Sequence, residues 1–124
     1  MQSQEVGTTT VVGNHTLTPA EEAAGAPPRP PFLDEAGNPV DPQSVQIFLL
    51  APTGQQRAFS WPLPQEGDAG SVVRQELGRF YVAWTPAPAE DGLWRWFLAA
   101  GMAGGSQQAD QDVFYVQRPV VLSA

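Results

Sequence analysis

The chain has 124 residues, a formal charge of −7, no cysteine, and arginine as its only basic residue type. That length holds one hydrophobic core, the acidity excludes attachment to a nucleic-acid backbone as the main activity, and the missing cysteine excludes disulfides, thiolate metal sites and a cysteine nucleophile. Thirteen prolines and twelve glycines exclude long helices and favour many short strands joined by turns, hence an all-β fold.

Nothing near the start combines a basic segment with an apolar run, and no stretch approaches the ~20 apolar residues of a membrane span, so a soluble, unexported product without membrane contact is expected. Residues 6–12 (VGTTTVV) are β-branched but alternate poorly, and read as an edge strand or an arm. In TPAEEAAG, Thr18 suits an N-cap, Pro19 the first helical position, Glu21 the capping-box return and Gly25 the stop, which predicts one or two helical turns over 19–24. Pro27, Pro28, Pro30 and Pro31 then force an extended polyproline path, a stiff spacer in preference to a ligand for an SH3-like groove. So short a helix on such a spacer has too little surface of its own to order it. Residues 1–31 are therefore expected to form an assembly arm resting on another subunit, with a disordered tail as the alternative. On either reading, their deletion should leave the rest folded.

From residue 32 the texture becomes strand and turn in regular alternation. Turn clusters at 34–39, 51–54 and 66–70, a proline-rich corner over 85–92 and a loop over 101–112 separate strands over 45–50, 57–61, 71–76, 79–84, 93–100 and 113–117, the number and spacing that a β-sandwich needs. A sandwich domain over 32–118 and a C-terminal tail over 119–124 follow. In GLWRWFLAAG, Trp94, Trp96 and Leu98 share one face with Arg95 on the other, so the tryptophans read as core and not as a ligand platform. Ile47, Leu49, Phe80, Val82 and Phe114 alternate in the same way and complete the expected core. Leu93 and Phe97 fall on the Arg95 face and, with Tyr81 and Tyr115, make a candidate partner face.

Residues that could carry chemistry are few. His15 is the only histidine and stands in a polar segment without a recognisable base or co-ligand. Asp34, Glu35, Asn38 and Asp41 crowd oxygen-bearing side chains, but their spacing fits turn chemistry better than a calcium loop. No phosphate loop, nucleophile elbow or metal-ligand spacing occurs. No enzyme, metal or cofactor is expected.

The ordered pieces FLDEAGNPVDP at 32–42, VQIFL at 45–49, APTG at 51–54, GRFY at 78–81, GLWRW at 92–96 and FYV at 114–116 resemble small immunoglobulin-like β-sandwich proteins of tailed phages. The resemblance covers about 85 residues, close to the ~100 of an immunoglobulin-like domain. It leaves out the N-terminal arm. It implies a virion structural protein made in the host cytoplasm, placed at the neck or head-tail connection or as a capsid decoration. Connector, tail or capsid proteins would be its partners, with further copies of itself, and no catalytic residue carries over. The competing expectation is a carbohydrate- or receptor-binding module in which Trp61, Tyr81 or Tyr115 stacks on sugar rings.

Overall fold

The structure, a computed structural model, describes residues 2–117; the tail expected over 119–124 lies outside the described residues. In chain order the elements are β1 (Gln2–Glu5), β2 (Thr10–Gly13), α1 (Pro19–Ala23), β3 (Ser44–Leu50), β4 (Gln56–Trp61), β5 (Gly70–Ser71), β6 (Val73–Glu76), β7 (Arg79–Trp84), a 3-10 turn (Pro88–Glu90), β8 (Gly92–Gly101) and β9 (Gln107–Gln117). They form a six-stranded sheet ordered β1-β9-β8-β3-β4-β5 and a three-stranded sheet ordered β2-β7-β6. All pairings are antiparallel except β1 with β9 and β4 with β5. The all-β expectation holds at this level, with two sheets and one short helix.

Strand alternation builds the core. β8 sends Trp94, Trp96, Leu98 and Ala100 inward, opposite Val45, Ile47 and Leu49 of β3 and Phe114 and Val116 of β9. The small sheet answers with Val12, Phe80 and Val82. Two aromatic clusters join the sheets: Trp84, Trp94 and Phe114 with centroids 5.6–5.8 Å apart, and Trp61 edge-on to Phe80 at 4.7 Å. Edge and tilted contacts of this kind suit the ring quadrupoles. The indole N–H of Trp94 donates to Glu90 O at 2.7 Å, so the largest buried side chain brings no unpaired donor into the core.

Three segments differ from their sequence reading. The strand expected over 113–117 starts at Gln107, because 107–112, expected as part of a loop, pairs with the second half of β8. The single strand expected over 71–76 is two, because the chain changes sheets at Val72: its N–H donates to Ser60 O, its side chain is buried, and β6 beyond it pairs with β7. Residues 1–31 do not stand apart from the two sheets. β2 is a strand of the small sheet, with Val12 opposite Val82 and Thr10 opposite Trp84, and β1 lines the edge of β9. Asn14 continues this attachment past the end of β2. Its Nδ2 donates to Gly78 O at 2.8 Å and its Oδ1 accepts Phe80 N–H at 2.9 Å, so one side chain satisfies two backbone groups of β7 and the turn before it. Gly13 permits the approach: its φ is +135°, and a Cβ there would run into the Phe80 carbonyl.

Candidate functional site

The residues of the arm form a strap along the side of the two sheets. Thr18 caps α1 through Glu21 N–H at 3.2 Å, and Glu21 returns to Thr18 N at 3.1 Å, the reciprocal capping box that the sequence pattern implies; Pro19 opens the helix. Helix docking comes from His15. Its Nε2 faces both oxygens of the Glu21 carboxylate at 2.9 and 3.1 Å, and both residues are buried. A carboxylate only accepts, which assigns the proton to Nε2. The sequence reading missed this pair, since nothing in the hydrophobic pattern marks a histidine six residues before its partner. Beyond Pro27 and Pro28 the strap is clamped by Arg29, which pairs with Asp110 at 2.6 Å and with Asp112 and lies 4.6 Å over the Trp96 ring. Arg79 holds the same segment from the small sheet, donating to Arg29 O and Asn14 O at 3.0 Å each. Pro30 and Pro31 lead from there to Phe32, whose N–H donates to Gly78 O. A cleft of about 520 Å³ remains under the strap, lined by Val12, Leu17, Ala26, Trp96 and Phe114 among others.

Burial alone would raise the Glu21 pKa, but the hydrogen bonds from His15 and the Thr18 backbone outweigh it and hold the carboxyl below its ordinary 4.5. A depressed carboxyl stabilises the fold above its unfolded value, and the contribution disappears as pH falls through the lowered folded value. Urea midpoints of the wild type and Glu21→Gln are therefore expected to differ most at about pH 6 and to converge only once the pH has fallen below the lowered folded value of Glu21. A constant gap across that range would mean that the charge of Glu21 is not what docks α1.

The acidic turn residues are occupied structurally. Asp34 Oδ1 accepts from Ala36 N and Asn38 N at 2.9 Å each, and Asp41 accepts from Gly78 N and Arg74 Nε. Among the described residues no three His, Asp or Glu side chains are arranged to hold a metal ion.

The outer face of the six-stranded sheet is different in kind. Outward positions alternate with the core residues: Leu93, Arg95, Phe97 and Ala99 on β8, Gln46, Phe48 and Leu50 on β3, Ala109, Gln111, Val113 and Tyr115 on β9, and Gln56 and Ala58 on β4. Register makes them neighbours, with Leu93 beside Tyr115, Arg95 between Leu50 and Val113, and Phe97 between Phe48 and Gln111. Leu93 is 40 %, Phe97 38 % and Tyr115 44 % exposed. On these four strands the face holds one charge, Arg95, and no carboxylate, although the chain carries thirteen. Three of the four candidate partner residues thus meet on one surface. Tyr81 does not: it stands on β7 in the other sheet, paired with Gly13 and Val73, 6.3 Å edge-on from His15. Nor do the sugar-stacking candidates gather, since Trp61 is packed on Phe80, Tyr81 neighbours the strap, and Tyr115 is on the outer face.

No family model, no curated protein and no solved structure matches the chain.

Proposed function

We propose that this chain is a structural protein of a phage virion, an assembly module with an immunoglobulin-like fold that meets its neighbours through the outer face of the six-stranded sheet. The observation that carries the proposal is the part of that face on β3, β4, β8 and β9, where aliphatic and aromatic residues are interspersed with glutamines and no carboxylate stands, on an otherwise acidic molecule. A contiguous exposed apolar surface is costly to keep in water and marks a place of contact. Charged residues are depleted from the centres of protein interfaces, and Tyr, Phe and Arg are enriched there.

The strand order supports the immunoglobulin-like part of the reading. β9-β8-β3-β4-β5 opposite β2-β7-β6 follows the variable-type arrangement, in which two strands extend the sheet that holds the last two strands of the chain. The Trp94 N–H that reaches back to Glu90 O at the entry to β8 takes the part played there by the corner tyrosine. Packing replaces the disulfide of antibody domains, for there is no cysteine. The virion part rests on the sequence resemblance, which implies a place at the neck or head-tail connection or on the capsid surface.

Peptides of this chain are expected in gradient-purified particles from lysates of the cells whose DNA encodes it. A Phe97→Glu variant that folds normally should be missing from those particles. Particles that lack the wild-type chain would refute the virion role.

A further inference from the structure

We infer that the outer face of the six-stranded sheet takes a second copy of this chain, in a two-fold dimer that forms before the protein joins any larger assembly. The inference rests on the assembly reading above and names the partner for its face.

Charge selects the occupant. Two molecules of net charge −7 repel each other, and the repulsion at contact is worst where carboxylates are brought face to face. On the face formed by β3, β4, β8 and β9 the outward positions carry none, so two copies that meet there desolvate no Asp or Glu. The face also contains both halves of its own recognition. Arg95 stands in a row with Phe97 and between the strands that carry Leu50 and Val113, with Tyr115 and Phe48 nearby. A two-fold axis repeats every contact, so a guanidinium displaced from the axis on one copy meets a ring of the other, and the reverse. Arginine over an aromatic face is a favourable contact that lets a single cation be covered without a carboxylate partner.

Size sets the strength. Four strands at about 4.8 Å spacing, each with two to four outward residues, make a face of about 20 by 25 Å. Two copies would bury about 1,000 Å², the lower bound for a specific interface, so the dimer inferred is a reversible one whose equilibrium is to be sought at micromolar and higher concentrations.

Sedimentation velocity of the purified full chain from about 5 to 500 μM tests this. A monomer-dimer equilibrium is expected, tightening severalfold as salt rises from about 10 to 200 mM because the Debye length shrinks from about 30 to under 10 Å and screens the mutual repulsion. Phe97→Glu and, independently, Tyr115→Glu should each weaken the dimer at least tenfold while the circular dichroism and thermal melt stay those of the wild type. Arg95→Ala should weaken it less. A wild type that remains monomeric at 500 μM overturns the inference, as does a dimer indifferent to both glutamate substitutions or one that loosens with salt. If the chain stays monomeric yet enters particles in a Phe97-dependent way, the dimer fails and the assembly reading survives. If it dimerises but is absent from particles, the converse holds.

Discussion

Trp94→Ala is expected to remove about 3–5 kcal/mol of stability, enough to leave a domain of ordinary stability largely unfolded at room temperature. The size follows from where the indole sits. Trp94 is fully buried, in contact with Trp84 from the small sheet and stacked at 19° on Phe114 from the neighbouring strand, with the Arg57 guanidinium 5.6 Å from its ring. Truncation opens a void that spans both sheets, and its walls are three aromatic or cationic groups anchored elsewhere. Arg57 is held by Glu90 at 2.6 Å, so collapse around the void would break that pair too. Trp94→Phe separates the contributions: it retains a ring but deletes the donor to Glu90 O, and should cost about 1–3 kcal/mol. Urea unfolding followed by far-UV circular dichroism reads both. Near-equal losses for Ala and Phe would mean that the hydrogen bond at the corner, and not the packing, fixes the start of β8.

How much of this was readable beforehand depends on the kind of force involved. β8 was legible over 93–100, all but its terminal glycines, because these residues alternate between core and surface, and a period of two survives without any knowledge of neighbours. The same alternation put Leu93 and Phe97 on a common outward face. Tyr81 was grouped with them wrongly in space, because alternation says which residues share a side of one strand but not which sheet the strand joins. The switch of sheets at Val72 was hidden for the same reason. The strap was illegible for another cause. Thr10, Asn14, His15 and Glu21 are buried polar residues held by specific hydrogen bonds, and a search for apolar periodicity passes over them as surface. The capping box was visible, but where the capped helix docks is decided by one histidine.

Deleting residues 1–31 is expected to abolish cooperative folding, against the tolerance that the arm-like composition suggested. The cut removes β2 and leaves the small sheet as a single pair, β6 with β7, in which β6 is fully exposed and interrupted by an irregular register between Arg74 and Glu76. Two-stranded ribbons are marginal in water even when regular. Val12 leaves the core, and Trp96 and Phe114 lose the strap that covers the cleft beside them. Phe80 N–H loses Asn14 Oδ1, and a buried backbone group left unpaired costs about 1–3 kcal/mol, while Gly78 O loses one of its two donors and keeps the Phe32 N–H. Arg79 loses its carbonyl acceptors, while Asp110 and Asp112, two residues apart on β9 and on the side of the strand away from the outer face, lose the cation between them. These losses together exceed the usual 5–15 kcal/mol margin only if most of them act at once, so a graded series is the sharper measurement. Asn14→Ala alone should cost about 1–3 kcal/mol and preserve a cooperative transition, whereas removal of residues 1–13 should already eliminate it. A truncated protein that melts cooperatively near the wild-type temperature would show that the small sheet stands without β2, and that the strap is an attachment and not a part of the fold.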